Sequence, residues 1–404
     1  MLSNNISLKK YSFIFIILWM VIIAPKSVQL ILFLFLLPFI LPKKFKLDIP
    51  LILGICYIII YASSIIINVF RFDHEIIRVI ASGNNLLIWI LAFLFYVVYK
   101  ENKVEKLEVT RILKNNFYIL IFLYYASLFL YFILDKPNIS LFGHSLYDEA
   151  WFDNNLVIRF SGFTDYANLV IMFVFLFFPF FLHYINNKSN NFYKFFMVMS
   201  VFLVVVQTYS RSGYVLLIFP IFFSITLYLQ EKLDKRLLLL IYMLNMVILV
   251  VILSYTPASE IVYSVFLELL NAREGSTETR SLLLTESINI TNTLSPYIGM
   301  GIKTLSPFGL LPYGSHSTFV GFFYKSGYIG LIITSFLFIV INLKLITFLI
   351  RRDHILRSSL SIHLIMVSAM FFVEDIDGTN WLLVFYFILV GYVFNSKNWS
   401  VNEK

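Results

Sequence analysis

The chain has 404 residues, 60% of them hydrophobic and only 13% charged, with a formal net charge of +8 and a mean hydropathy of +0.85. That balance excludes a soluble globular domain and makes lipid the solvent for most of the protein. The single cysteine, Cys56, excludes an intrachain disulfide, and the six scattered histidines show no metal-ligand spacing, so neither a metal nor a cofactor is expected.

A helix needs about 20 apolar residues to cross the hydrocarbon core. In chain order, candidate spans fall at 11–25, 28–42, 49–70, 79–99, 117–134, 166–185, 195–209, 213–229, 237–254, 317–341, 360–373 and 381–394. The first two are split only by Pro25, Lys26 and Ser27 and form either two crossings or one re-entrant pair. The run that opens the chain has no small-residue cleavage site and reads as an uncleaved anchor. Cys56 lies inside the third span and reads as inert packing. All these runs are too long and too apolar for barrel strands, which alternate. Backbone in lipid must satisfy its own hydrogen bonds, which leaves helices. The expected fold is all-α: one polytopic bundle of about 12 transmembrane helices covering residues 1–404, with no internal repeat and no linker.

Basic residues set the orientation. With a cytoplasmic N-terminus, the inner gaps hold Lys9 and Lys10, the Lys43–Lys46 group, Lys100 to Lys114, Lys188 and Lys194, Lys232 to Arg236, Lys344 to Arg357, and Lys397 and Lys404. That is about 21 of the 31 Lys and Arg residues, so both termini are expected inside. The same asymmetry accounts for the net positive charge, and nucleic acid is not an expected partner.

The outer gaps are unequal. Two are long, 135–165 and 255–316, and long loops on a compact bundle point to chemistry on that face. In the larger loop, apolar residues at 261, 262, 265, 266, 269 and 270 make an amphipathic helix lying on the bilayer or over a cavity. A second helix is expected from Glu278 to Thr291. Pro296, Gly299 and Gly301 then break the chain, and Pro307, Pro312 and Gly314 keep it irregular up to His316.

The charged residues of this face are few enough to weigh singly. Arg211, in Thr208-Tyr209-Ser210-Arg211-Ser212-Gly213, is wedged between two spans. An arginine at membrane depth costs roughly 2.5–3.5 kcal/mol on insertion scales and requires a partner. It either reaches headgroups or a loop carboxylate, or it is a fixed cation for a phosphate-bearing ligand, which guanidinium grips with two hydrogen bonds. Arg273 and Arg280 either pair locally with Glu274, Glu278 or Glu286 or face the same ligand. Arg159, ahead of Ser161-Gly162-Phe163-Thr164-Asp165, either anchors the sixth span or binds substrate. His316 sits where the loop re-enters the membrane: as neutral imidazole it suits a general base for a hydroxyl, and beside Ser315, Ser317 and Thr318 it also suits a helix cap. Glu374, Asp375 and Asp377 crowd the last outer turn, where they balance the arginines, bind a substrate hydroxyl, or are solvated. Outer cations with one histidine and no metal ligands suit an anionic lipid-linked substrate such as a lipid pyrophosphate, whose leaving group gains charge during reaction. Spacing alone identifies no sugar.

Several segments, taken in order, resemble the bacterial O-antigen polymerase and O-antigen ligase superfamily. They are Arg159-Phe160-Ser161-Gly162-Phe163; Ser210-Arg211-Ser212-Gly213; Thr279-Arg280-Ser281-Leu282-Leu283-Leu284 with Ser295-Pro296-Tyr297-Ile298-Gly299-Met300-Gly301 downstream; and His316-Ser317-Thr318-Phe319 followed by Tyr324-Lys325-Ser326-Gly327-Tyr328-Ile329-Gly330-Leu331. The resemblance implies a metal-independent membrane glycosyltransferase of the GT-C class. Its substrate is a glycan carried on undecaprenyl pyrophosphate at the periplasmic face of the inner membrane, and a chain-length regulator is a further partner it allows. It implies that Arg211 and Arg280 hold the pyrophosphate and that His316 acts near the acceptor hydroxyl, with Arg159, Arg273, Glu374 and Asp375 as further substrate-binding candidates. Ligases of the superfamily commonly carry His-Asn at the last motif; His316-Ser317 here leans toward a polymerase. A ligase to lipid A–core shares the donor chemistry. A flippase of the same lipid fits the span count, but no paired halves or interrupted helices are evident in the sequence. A purely structural scaffold leaves Arg211 unexplained.

Overall fold

The computed structural model describes residues 11–399 except 42–44, 137–138, 153–154, 211–219, 222, 226, 228–273, 308–311, 316, 352–353, 373, 376 and 378–379. Its described helices, in chain order, are α1 (Leu18–Ile23), α2 (Lys26–Ile40), α3 (Ile49–Arg71), α4 (Ile76–Glu101), α5 (Lys106–Phe132), α6 (Asn168–Asn186), α7 (Asn191–Val206), α8 (Glu274–Leu294), α9 (Thr318–Arg351), α10 (Ile355–Met370) and α11 (Asn380–Phe394). Five of them, α3, α4, α5, α6 and α9, are long and apolar enough to cross a bilayer, while α2, α7, α10 and α11 are shorter apolar helices. The eighth and ninth expected spans and the amphipathic stretch 261–270 lie wholly or largely outside the described residues.

Local chemistry explains the helix ends. Asp48 caps α3 by accepting from the Leu51 amide at 3.2 Å, with Pro50 in the first turn where its missing N–H costs nothing. The same carboxylate pairs with Lys100 at 3.0 Å and accepts from the Tyr96 hydroxyl at 2.6 Å, tying the start of α3 to the end of α4. Lys46, Lys100, Lys103, Lys106 and Lys397 all belong to this end of the bundle: Lys106 meets His354 at 2.9 Å, and Lys397 donates to the Glu101 carbonyl at 2.7 Å. Among the described residues, these basic gaps gather at one end.

The described core is aromatic and closely packed. α6 is apolar all round and buried on nearly every face, as a central helix must be. Its Phe177 meets Phe15 and Phe385 at ring distances of 6.3 and 5.6 Å. α11 lies along α4, where Gly391 lets backbones close up: a Cβ there would fall 2.5 Å from the Tyr96 carbonyl oxygen. The outer faces remain apolar. Ile52, Ile55 and Ile59 of α3, Phe122 and Phe129 of α5, and Ile332, Phe336 and Ile339 of α9 are exposed at helical spacing, as lipid-facing positions are. Cys56 belongs to that exposed face of α3 and is not a packing residue.

The first expected span, 11–25, holds only a short turn at Phe13–Phe15 and the six-residue α1, and two further features depart from the sequence expectation. The 135–165 loop carries strands: β1 (Ser140–Leu141) pairs antiparallel with β2 (His144–Ser145), and β3 (Tyr147–Phe152) pairs with β4 (Asn155–Phe160) from Tyr147↔Phe160 to Phe152↔Asn155. The fold is thus a helical bundle bearing two hairpins. The other departure is in α9, which is interrupted: Gly327 has φ +60° and ψ −162°, nine residues or roughly 13 Å from the helix start at 1.5 Å per residue.

The break is filled by the 296–302 segment. Met300 and Gly301 donate to the Tyr324 and Lys325 carbonyls at 2.6 and 3.1 Å, and Tyr328 and Ile329 donate to the Pro296 and Tyr297 carbonyls at 2.8 and 3.2 Å. The groups orphaned by the break are satisfied by this loop backbone, as membrane-depth irregularity requires. Gly299 and Gly301 take φ of +74° and +67°, and a Cβ on Gly301 would fall 2.7 Å from the Ser64 backbone of α3. Asn68 of α3 closes the joint by donating to the Gly299 carbonyl at 2.9 Å.

Candidate functional site

The end of the bundle opposite the basic gaps assembles the hairpins, the start of α6, the end of α7, α8, the 295–317 connection, the start of α9 and the turn between α10 and α11. β4 reaches the site because its end docks on α7: Phe160 donates to the Gln207 carbonyl at 2.9 Å and Gln207 returns a bond to Ile158 at 2.8 Å. Arg159 thereby lies against the last turn of α7, donating through Nε to the Thr208 carbonyl at 3.1 Å. Thr208 is three residues before Arg211. Tyr209 turns the chain out of the helix with φ +48°.

α8 runs from Glu274 to Leu294, longer than the expected 278–291 at both ends. Leu283, Ser287 and Thr291 form its buried stripe at i, i+4 spacing, and Ser287 accepts from the Gly314 amide at 2.8 Å. Arg280, one turn before Leu283, is half-buried on the same side.

Glu374 is the centre of the described site. It is 6% exposed and accepts from the Asn168 amide, at the head of α6, at 2.7 Å. Its own carbonyl receives the Thr318 amide at 3.2 Å and the Thr318 hydroxyl at 2.7 Å, which fixes the start of α9. Burial pushes the Glu374 carboxyl above the usual carboxylate range and Asp375 adds to the rise, while the guanidiniums of Arg280 and Arg159 and the Asn168 amide pull the other way. Arg280, Arg159 and Glu374, three residues far apart in sequence, are therefore electrostatically coupled. Asp375 pairs with Lys303 at 2.9 Å. Asp377, 1% exposed, pairs with the fully buried Lys325 and accepts from the Trp89 indole at 2.5 Å.

This geometry bears on one of the readings of the acidic turn. Glu374 and Asp377 are buried, so they are not solvated charges, and each carboxylate of the turn answers a cation. Arg280 bears on Glu374, while Glu286 accepts from the Tyr313 hydroxyl at 3.3 Å. Sequence reading missed Lys303, Lys325, Trp89 and Asn168. A signal existed for Lys325, a lysine inside an otherwise apolar span. Arg211, Arg273 and His316 lie outside the described residues, although Ser210 and Ser317 beside two of them are buried. Among the described residues, no group of three or more His, Cys, Asp or Glu side chains comes together as a metal site.

The arrangement gathers the cations Arg159, Arg280 and Lys303 with the carboxylates Glu374 and Asp375 at one end of an apolar bundle, a charge pattern that suits an anionic group attached to a lipid. Comparison with curated proteins gave no match. A family model described as O-antigen ligase matches residues 195–335, a stretch that contains Arg211, Arg280, the Gly299–Gly301 joint, His316 and the interrupted start of α9. Over that stretch the chain is similar to the O-antigen ligase family, in keeping with the O-antigen polymerase and ligase superfamily.

Proposed function

We propose that the protein is a polysaccharide polymerase. It transfers a growing glycan from undecaprenyl pyrophosphate to a hydroxyl of the next lipid-linked repeat unit, at the periplasmic face of the bacterial inner membrane. The observation that carries this reading is Arg280. It lies within the matched segment and, together with Arg159, bears on a buried carboxylate at the loop-bearing end of an apolar bundle.

In this reading Arg211 and Arg280 neutralise the two phosphates of the donor. His316 takes the proton from the acceptor hydroxyl as its oxygen attacks the anomeric carbon. The bond from that carbon to the phosphate oxygen breaks, and undecaprenyl pyrophosphate departs with its charge held by the guanidiniums. Glu374 orients Arg280 and Arg159 through its tie to α6, Asp375 holds Lys303, and Arg273 contributes from the larger loop. Both termini face the cytoplasm, and a chain-length regulator acts on the same assembly.

A second reading is the ligase, which the description of the matching family favours and which differs only in acceptor. The lipopolysaccharide ladder of a deletion strain separates them. A polymerase loss leaves core plus one repeat unit; a ligase loss leaves bare core, which would overturn the polymerase assignment. Bare core with the lipid-linked unit held inside would instead indicate a flippase.

A further inference from the structure

The turn between α10 and α11 carries Asp375 and Asp377, each paired with a lysine, and the two pairs differ in access to solvent. Lys325–Asp377 is sealed, its side chains 0% and 1% exposed, whereas Lys303–Asp375 is partly open, at 12% and 16%. We propose that Lys303 exchanges partners: Asp375 holds it at rest, and the pyrophosphate of the lipid-linked donor takes it over on binding. Asp375 is then a built-in competitor for that anion, in an exchange that rests on the glycan-transfer reading above.

Access decides which pair can part. Parting a sealed pair strands a charge in a dry site. A pair that water reaches is held less tightly, and a more highly charged anion can displace its carboxylate. The Lys303 ammonium is suited to such a change. It has three donors, and among the described residues Asp375, at 2.9 Å, is its one hydrogen-bond partner. Two donors are therefore unspent. The flexible stem of lysine lets a point charge swing between acceptors. There is also room beside it: a Cβ on Gly321, near the start of α9, would fall 3.8 Å from the Lys303 ammonium, so the ammonium rests against α9 at a position that bears no side chain.

The backbones on both sides are pinned. Gly301, two residues before Lys303, donates to the Lys325 carbonyl at 3.1 Å. Thr304, the next residue, receives the Tyr313 amide at 2.9 Å on its carbonyl and meets the Tyr324 hydroxyl at 3.2 Å. Opposite, the Glu374 carbonyl before Asp375 receives the Thr318 hydroxyl at 2.7 Å, and Asp377 is tied to Lys325. The movement left to Lys303 and Asp375 is in their side-chain torsions, which is what a local exchange requires. The joint of Gly299 and Gly301 thereby also fixes the backbone from which Lys303 reaches.

Placement puts the exchange at the transfer site. Asp375 directly follows Glu374, and the charges of Arg280, Arg159 and Asp375 all bear on the Glu374 carboxyl. Neighbouring Cα atoms are about 3.8 Å apart, so Lys303 belongs to the same cluster as the guanidiniums assigned to the phosphates. A competing carboxylate serves two ends there. At rest it compensates an ammonium close to the membrane, where an unpaired charge is costly. After transfer it draws Lys303 back from the spent lipid pyrophosphate and favours its release.

The test uses the full chain in phosphatidylcholine nanodiscs, with undecaprenyl pyrophosphate as the probe and its dissociation constant as the readout, so no turnover is needed. Lys303→Met should weaken binding about tenfold or more, the loss expected for a hydrogen bond between charged groups. Asp375→Asn should tighten binding about threefold or more, because it removes the competing charge. In the Lys303→Met background the same change should bring no gain. A fixed structural pair predicts otherwise: both single changes weaken binding alike, or neither alters it. Either result overturns the exchange, as does a gain from Asp375→Asn that persists without Lys303, or a wild-type chain that does not bind the probe. A variant that binds more tightly is not a misfolded one, so Asp375→Asn decides the matter even where Lys303→Met fails to accumulate. The transfer reading falls separately, if wild type forms no glycosidic bond from lipid-linked repeat units.

Discussion

Lys325 and Asp377 form a buried ion pair between α9 and the last outer turn, 0% and 1% exposed. Replacing Lys325 by Met leaves a carboxylate in a dry site with the Trp89 indole as its hydrogen-bond donor. Removing one member of such a pair costs about 3–5 kcal/mol, because the other charge stays buried. Asp377→Asn should cost less, about 2–3 kcal/mol. It keeps the Trp89 bond, and the ammonium retains the Tyr61 and Phe322 rings at 5.1 and 5.6 Å, contacts worth roughly 0.5–2 kcal/mol each. The double variant Lys325→Met/Asp377→Asn buries no charge, keeps the Trp89 bond and should return to within about 1 kcal/mol of wild type. Equilibrium unfolding in mixed micelles, followed by circular dichroism, measures all four proteins. The expected coupling energy is at least about 2 kcal/mol. Additive single losses would refute the pair. Because Asp377 lies two residues past Asp375, the single variants should also lose transfer activity and the double variant should recover much of it.

Other outcomes follow from the same geometry. Arg211→Ala and Arg280→Ala should abolish polymer while the protein still accumulates in membranes, and Arg211→Lys should restore little because ammonium lacks the two-pronged grip; full polymer in Arg211→Ala would remove the phosphate role. Gly301→Ala puts a Cβ 2.7 Å from the Ser64 backbone at φ +67°, so a loss of at least about 1–3 kcal/mol is expected, and a wild-type unfolding curve would contradict the joint. The folded-state pKa of Glu374 is raised, so its stabilising contribution is fully present below about pH 4.3, the unfolded carboxyl value. That contribution is lost as pH rises through the raised value. Glu374→Gln should flatten this decline, and an identical pH slope in both proteins would refute it. His316→Ala should be severely impaired in polymer formation; a normal ladder would remove its role as base.

Several spans were legible because lipid imposes one rule on every residue of a run. The expected 49–70, 79–99 and 381–394 lie within a few residues of α3, α4 and α11. Helix continuation beyond the apolar run was not legible: α5 starts at Lys106 and α9 continues to Arg351, since polar helix former residues extend a helix past the hydrocarbon without changing hydropathy. The β3–β4 hairpin had a local signal that the membrane reading overrode, namely Leu156-Val157-Ile158 and Tyr147 to Phe152 flanking Asp153-Asn154. The joint of Gly299 and Gly301 with the α9 break was visible only as two glycine-bearing motifs. That they fit each other is a tertiary fact, carried by hydrogen bonds between residues more than 20 apart. Likewise Glu374 was noticed as a charge, but its coupling to Arg280 and Arg159 depends on α8, β4 and the α10–α11 turn meeting at one end of the bundle.

The central claim is that the Arg280 guanidinium stabilises the departing lipid pyrophosphate. Its most direct test is single-turnover transfer by the full chain in nanodiscs, supplied with saturating lipid-linked repeat units, comparing wild type with Arg280→Ala at matched folded protein. The account predicts a rate loss of about 100-fold or more, the size seen when one donor to a developing anion is removed. A rate within about twofold of wild type would contradict it.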